Sequence, residues 1–382
     1  MDLTLTQEQE MVRKTARDFV DNEVAPYVRE WDRSEEMDRS IVGKLAEVGF
    51  LGATTPEEYG GMGMDNLSYC LIIEELGRAD SSVRGIVSVN VGLVSKTIAK
   101  WGSDDQKQRW LPRLTSGELG CFGLTEPGYG SDAASLAAKA RRDGDDWVIN
   151  GSKLFITNGN WAKVALVFAR TGEPGPRGIT CFLVATDTPG FSARAVKGKL
   201  GLRAQDTGEL FLEDVRVPDS ERLGDEGAGF KVAMSALDGG RMSLAAGSVG
   251  IAQGCLDASL KFAAERSAFG RPIARFQLIQ ELIADMAVET EAARLLTWRV
   301  AALADANKKH TLESSVAKYY ASEACVRAAN AAVQIHGGYG YVDEYPVGKY
   351  LRDARVSTLY EGTSQIQKLL IGRALTGENA FT

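Results

Sequence analysis

The chain has 382 residues, of which 44% are hydrophobic and 25% are charged, a composition typical of a globular protein with roughly two or three packed units. Its formal net charge of −7 argues against general nucleic-acid binding, and no uninterrupted apolar run is long enough to span a bilayer. The N-terminal stretch MDLTLTQEQEMVRK lacks the apolar core of a secretory signal. We therefore expect a cytoplasmic, bacterial protein without membrane insertion.

Cysteines and histidines limit the chemistry of the chain. The five cysteines are widely scattered and form no CxxC pair, which favours reduced thiols over a disulfide framework or a zinc cluster. His310 and His336 are the only histidines in the sequence, so we expect no metal centre, and few candidates exist for the histidine of a Ser-His-Asp triad. Catalysis would have to depend on carboxylates, backbone groups or a cofactor.

Residues 1–117 are predicted to form an N-terminal helical domain. Apolar side chains recur at helical spacing over 8–31, 41–50 and 67–76, and an apolar stretch follows at 86–98. The glycine-rich loop at 56–63 interrupts this pattern.

Residues 118–226 change period and are predicted to form a middle β domain. Short runs rich in β-branched and aromatic residues are separated by turns, at 147–151, 153–159, 164–169, 179–184 and 208–217. No helical pattern lies between them, which favours an antiparallel sandwich or barrel over a doubly wound sheet.

Residues 227–382 return to helical spacing and are predicted to form a C-terminal helical bundle. Long periodic segments cover 245–265, 276–305 and 311–335, and the connections between them are short. The fold class is therefore predicted to be α+β, in the order helical, β, helical.

The stretch 352–367 holds the strongest candidate for a catalytic group. Pro346 can open the helix before it, and Ser364 with Gln367 resembles a capping box that starts the helix after it. Glu361 lies in the connection between the two helices. If the connection points inward, poor solvation raises the pKa of this carboxyl group towards that of a general base. From the local pattern alone, a solvated acid in a turn between two helices is the better interpretation.

Nucleotide-binding signals are weak. Neither GxGxxG at a strand–helix junction nor GxxxxGK[ST] occurs in the chain. Glycine-rich loops at 60–63, 127–130 and 337–340 could offer N–H groups to a phosphate, but each also fits an ordinary tight turn.

Six motifs together resemble those of the acyl-CoA dehydrogenase family, in the family's order and over essentially the whole chain. They are LTEPGYGSD at 124–132, KLFITNG at 153–159, ERSAFGRP at 265–272 with Gln277, QIHGGYG at 334–340, RDAR at 352–355 and YEGTSQIQ at 360–367.

The resemblance implies an FAD cofactor and a homotetramer built as a dimer of dimers. In a second copy, Arg266, Gln277 and the 334–338 loop would hold the adenosine diphosphate end of FAD. The positions that carry over as cofactor contacts are Phe122, Leu124, Thr125, Gly130, Ser131, Phe155, Ile156, Thr157, Arg266, Phe269, Phe276, Gln277, Gln334, Ile335, Gly337, Gly338, Thr363 and Gln365.

The resemblance also implies the reaction. Glu361 would remove the α-proton of an acyl-CoA thioester while its own N–H helps to hold the thioester carbonyl. The β-hydrogen would leave as hydride to N5 of FAD, which gives a trans-2-enoyl-CoA. Substrate contacts would come from Ser131, Asp238, Arg241, Tyr360 and Gly362. An electron-transferring flavoprotein would reoxidise the cofactor.

Two further expectations concern the base and the substrate. Some relatives carry the base on a helix, immediately before an arginine that matches Arg241, but this chain has Gly240 there, which leaves Glu361 as the base. Asp238 and Arg241 also fit a surface ion pair, worth only ~0.2–0.5 kcal/mol. The chain looks most like the short-chain (butyryl-CoA) members. A branched or dicarboxylic substrate, or a non-dehydrogenase flavoprotein of the same fold, are the alternatives.

Overall fold

Seven helices and short connections make up the first part of the computed structural model, which describes residues 4–380. Thr6 and Ser103 begin two of these helices with capping boxes. The predicted helix over 8–31 is two helices, because the chain turns at residues 24–27, which include Pro26. The helices are α1 Gln7–Glu23, α2 Val28–Ser34, α3 Ile41–Glu47, α4 Asn66–Ala79, α5 Ser81–Val87, α6 Lys96–Trp101 and α7 Asp104–Thr115.

A π-helical segment, Ser88–Ser95, joins α5 to α6 without a break. Segments of this kind are rare and occur frequently at functional sites. This one is buried along nearly all of its length, and Leu93 points from it towards α8, Gly229–Glu265.

The middle part is a sheet in the strand order β6-β7-β3-β2-β4-β5-β8. Its pairs are mainly antiparallel, as predicted, but β1 and β2 each pair with β4 in parallel. The predicted runs at 147–151 and 153–159 are one strand, in which Gly151 marks a register shift. The strands are β1 Gly120–Gly123, β2 Lys139–Asp143, β3 Asp146–Thr157, β4 Val164–Arg170, β5 Ile179–Ala185, β6 Phe191–Ala195, β7 Thr207–Pro218 and β8 Arg222–Leu223.

Strand β4 is buried on both faces. Leu166 and Phe168 pack in a cluster with α6, α7 and the start of α8, whereas Ala165 and Val167 pack against other strands. Alternate residues of a strand point to opposite faces, so one continuous apolar run serves two cores. The sheet is thereby fixed against the helices that carry the candidate site.

The last part is a helical bundle around α8, a single helix of 37 residues. Helix α4 approaches α8 closely, since a Cβ at Gly250 would lie 2.1 Å from the carbonyl oxygen of Glu74. The remaining elements are the hairpin β9 Ser267–Ala268 and β10 Arg271–Pro272, then α9 Gln277–Asp305, α10 Thr311–His336, α11 Val347–Ser357 and α12 Ser364–Thr376. The predicted order of helical, β and helical parts is confirmed. Within residues 4–380, no helix has the length and apolar character needed to cross a membrane.

Candidate active site

Glu361 lies in the turn between α11 and α12, and both it and Gly362 have left-handed backbone, with φ of 54° and 89°. Such a conformation is unfavourable for a residue with a Cβ, so its surroundings must hold it. Gln367 donates from Nε2 to the carbonyl oxygens of both residues, each at 3.1 Å. Lys318 of α10 donates from Nζ to the Gly362 carbonyl at 2.7 Å.

The predicted capping box at Ser364 is wrong by one residue. Thr363 is the N-cap of α12, and its hydroxyl accepts the Ile366 N–H at 3.3 Å. Ser364 instead donates to the Glu323 carboxylate at 2.6 Å. Because Gln367 is turned towards the carbonyls of the turn, the start of α12 stabilises the Glu361 backbone directly.

The Glu361 carboxyl group is set for proton transfer near neutral pH. The residue is partly buried, and its Oε2 atom is enclosed without a hydrogen-bond partner. Burial raises the pKa of Glu361 to about 7, while the nearby charges of Arg84, Lys318 and Arg241 act in the opposite direction. Glu361 is therefore not the solvated acid that the local sequence pattern also allowed.

Gly240 of α8 lies directly against this carboxylate. A Cβ at position 240 would be 2.3 Å from Glu361 Oε2 and 2.8 Å from Leu93 Cδ2. Positions 240 and 361 thus converge on one point, although 120 residues of sequence separate them. A carboxylate on either one would reach the same region.

Asp238 and Arg241 form an ion pair, but Arg241 is not a surface residue. Its guanidinium donates to Asp238 at 2.8 Å, and Thr311 donates to the other carboxylate oxygen at 2.8 Å. Arg241 is only 4% exposed, and burial lowers its pKa. The Arg241 charge is near enough to Glu361 to lower the pKa of that carboxyl group.

Arg84 of α5 is a site residue that sequence reasoning missed. It is 4% exposed and donates to the Tyr360 hydroxyl at 2.6 Å and, more weakly, to Ser88 Oγ at 3.5 Å. Its Nε has no partner, and no carboxylate within residues 4–380 forms an ion pair with it. The only sequence signal was an arginine inside the apolar run VRGIV at 83–87.

Strands β1 and β3 bring together one group of the predicted cofactor contacts. Phe122 lies on β1, and Leu124 and Thr125 follow it; Leu154 N–H donates to Thr125 O at 2.9 Å, which fixes the two segments together. Phe155 has φ of 61° and its side chain is 64% exposed.

The other members of this group differ in exposure. Ile156 is buried, and Thr157 Oγ1 accepts a hydrogen bond from Gln205 at 2.8 Å. Gly130 and Ser131 lie in the exposed loop that follows β1. At the start of α12, Gln365 is exposed whereas Thr363 is partly buried.

A cavity of about 760 Å³ at the far end of α8 gathers most of the remaining predicted contacts. Its lining includes Arg266, Phe269, Phe276, Ile335, Gly337 and Gly338. Gln277 and Gln334 are sequence neighbours of lining residues but do not line the cavity themselves. The Arg266 guanidinium lies over the Tyr339 ring, 5.5 Å from its centroid, and forms no ion pair among the described residues.

Three family models match this chain along nearly its entire length. The profile of the acyl-CoA dehydrogenase N-terminal domain matches residues 6–118, that of the middle domain matches 121–215, and that of the C-terminal domain matches 227–376. The mouse short-chain specific acyl-CoA dehydrogenase, mitochondrial, is 46% identical over 369 residues, which cover 96% of this chain and 90% of the mouse protein.

Solved structures show the same similarity in three dimensions. Butyryl-CoA dehydrogenase from Megasphaera elsdenii is 41% identical with a TM-score of 0.96 and covers 98% of this chain and 100% of its own. A glutaryl-CoA dehydrogenase from Mycobacterium smegmatis in complex with FADH2 is 38% identical with a TM-score of 0.95, covering 99% and 97%. A chain from work on the electron transferring flavoprotein of Acidaminococcus fermentans is 42% identical with a TM-score of 0.97, covering 99% and 100%.

Proposed function

The chain belongs to the acyl-CoA dehydrogenase family, a family of FAD-dependent oxidoreductases acting on CH–CH bonds, and we propose that it converts a short-chain acyl-CoA into its trans-2-enoyl-CoA with Glu361 as the base. The observation that carries this proposal is the enclosed carboxylate of Glu361, whose pKa burial raises to about 7. A base of that strength is half ionised at neutral pH and retains strong affinity for a proton.

The Glu361–Gly362 turn does two things in the proposed reaction. The carboxylate takes the α-proton, and the Glu361 N–H, which has no acceptor within residues 4–380, is available to the thioester carbonyl oxygen. A donor aimed at the developing enolate stabilises it as the proton leaves. Gly362 has no Cβ, so the thioester can approach the turn closely.

Two separate groups of residues have the chemical character needed to hold FAD. Exposed Phe155 and the joined segments of β1 and β3 offer a partly apolar surface, and the cavity at Arg266 combines aromatic walls with an unpaired cation suited to a phosphate. When bound by these residues, FAD would supply a hydride acceptor for the β-hydrogen and thus the redox capacity of the reaction.

We propose further that two copies share each cofactor within a homotetramer, and that an electron-transferring flavoprotein is the oxidant. Phe269, at the mouth of the cavity, is 96% exposed, and Tyr341 is 91% exposed. Apolar side chains so open to water favour burial against another copy. The similarity to a chain studied with the Acidaminococcus flavoprotein supports the proposed oxidant.

Arg84 favours a second candidate substrate, an acyl-CoA whose acyl chain ends in a carboxylate. A buried guanidinium without an anion is costly, and an apolar butyryl chain would leave it unpaired. Its hydrogen bond to Tyr360 lies next to the proposed base in sequence, which supports a position near the acyl chain of the substrate. A terminal carboxylate on a short chain would pair with it.

An anaerobic titration distinguishes the two candidates. Bleaching of the flavin band is followed with butyryl-CoA and glutaryl-CoA, first with the wild type and then with Arg84→Met. If the carboxylate binds at Arg84, the variant should lose at least about 100-fold in kcat/KM for glutaryl-CoA. Its loss on butyryl-CoA should be much smaller, because there only the effect of the Arg84 charge on Glu361 is removed. If butyryl-CoA bleaches the wild type efficiently and glutaryl-CoA does not, the unsubstituted short chain is the substrate. Failure of every acyl-CoA to bleach a flavin-loaded protein would refute the dehydrogenase assignment.

A further inference from the structure

Lys318 is a buried lysine beside the base that neither the motifs nor the comparisons single out. It lies on α10, is 0% exposed, and makes its hydrogen bond to the carbonyl oxygen of Gly362 at 2.7 Å. Within residues 4–380 no carboxylate lies within ion-pair distance of its Nζ. A full positive charge in such a place is expensive unless it serves the groups around it.

The charged neighbours of Lys318 come from three elements. Glu361 faces it from the turn, Arg241 from α8 and Glu323 from its own helix; the Cys325 thiol is also near. Burial lowers the pKa of Lys318 to about 8, so the side chain remains mostly cationic at pH 7.

Two other cations also act on Glu361, and the charge of Arg84 acts more strongly than that of Lys318. Arg241 is ion-paired with Asp238, which offsets much of its charge. Arg84 directs two of its N–H groups to the hydroxyls of Tyr360 and Ser88. Lys318 is the cation that also contacts the backbone of the turn that carries the base.

On the basis of the proposed function, we infer that Lys318 is a positioning residue that fixes the Glu361–Gly362 turn through the Gly362 carbonyl and brings a positive charge to the base. The hydrogen bond holds a left-handed pair of residues that Gln367 holds from the other side. The charge offsets part of the cost of ionising an enclosed carboxylate.

The test is the pH profile of the anaerobic bleaching rate with whichever acyl-CoA reduces the wild-type holoenzyme. Lys318→Gln removes the charge and keeps an N–H donor on a shorter side chain, so the midpoint of its profile should rise by one pH unit or more. At pH 7 this corresponds to a loss of several-fold to tenfold, recovered in part at pH 9. Lys318→Met removes charge and donor together, and its rate should stay low even at pH 9.

Two further variants separate positioning from simple packing. Lys318→Arg retains the charge and should leave the midpoint within about 0.3 pH unit of the wild type. Lys368→Gln is the matched control, because exposed Lys368 lies over the ring of Tyr319, next to Lys318 on α10, and does not touch the turn. Its profile should be that of the wild type.

A wild-type midpoint in flavin-loaded Lys318→Gln would overturn the inference. If Lys318→Met does not fold, the Gln and Arg variants still decide the outcome. A wild type that no acyl-CoA reduces would refute the proposed function instead, so the two failures are distinguishable.

Discussion

The substitution Gly240→Ala adds a single methyl group and tests whether Glu361 is the base. The new Cβ would lie 2.3 Å from Glu361 Oε2, whereas ordinary contact begins at 3.4 Å. The carboxylate must therefore withdraw by about 1 Å, and Leu93 must also shift, since its Cδ2 would be 2.8 Å away. Both contacts are with the far ends of flexible side chains, so the protein should still fold and bind FAD.

A displacement of about 1 Å in a reacting group can lower a rate by ~10²-fold, equivalent to ~3 kcal/mol in the barrier. We therefore expect the anaerobic rate of flavin bleaching by Gly240→Ala to fall about 100-fold. The assay is stopped-flow absorbance under saturating acyl-CoA, so that weaker substrate binding does not contribute to the measured loss.

Gly239→Ala is the matched control on the same turn of α8. A Cβ there would meet only the Gly92 carbonyl oxygen, at an ordinary 3.6 Å, so its rate should stay close to that of the wild type. A Gly240→Ala enzyme that bleaches within threefold of the wild type would show that the position of the Glu361 carboxylate does not limit the reaction, and the proposed base would be wrong.

Three other outcomes follow from the site. Burial raises the pKa of Glu361 to about 7, and the base must be ionised to act. The bleaching rate should therefore increase about tenfold per pH unit below pH 7 and level off above it. A rate that does not change with pH would contradict this prediction. The raised pKa means that folding favours the protonated acid, so its ionisation destabilises the fold progressively as the pH rises from 4.5 to 7. Glu361→Gln lacks this ionisation, so between pH 5.5 and pH 8 its free energy of unfolding should rise by about 2 kcal/mol per chain relative to that of the wild type, or roughly 2 °C in Tm by calorimetry. A Tm difference between the two proteins that does not change with pH would argue against an enclosed acid. Arg266→Ala should retain less FAD after gel filtration, and full flavin content with unchanged assembly would mean that the contact is misassigned.

Sequence reasoning succeeded where the signal is local or repeated along the chain. The change from helical to strand spacing predicted the three-part order, and the motif around Glu361 identified the turn that the fold encloses. The predicted N-cap of α12 was wrong because Thr363 and Ser364 are adjacent and both are good N-cap residues. The hydrogen bond from Ser364 to Glu323 of α10 leaves Thr363 as the N-cap, and this contact is not visible in the sequence.

Arg84 and Lys318 were missed for a different reason. Each lies in a segment whose pattern predicts an ordinary helix, and a single cation in such a segment normally extends to solvent. Their importance depends on elements distant in sequence, since both converge on residues 360–362. Only the packing of α5, α10 and the turn shows that both cations are buried and that neither has an ion-pair partner within residues 4–380.

The length of α8 has a consequence of its own. Arg241, about a third of the way along α8, and Arg266, just beyond its end, are 25 positions apart, so at ~1.5 Å per residue the helix separates them by nearly 40 Å. The helix therefore sets a constant spacing between the proposed thioester site at Glu361 and the cavity at Arg266, where we propose that a phosphate binds. One residue inserted near Gly250 would turn one half of the helix by ~100° relative to the other. The fixed distance and orientation between the two proposed sites of one chain would then be lost.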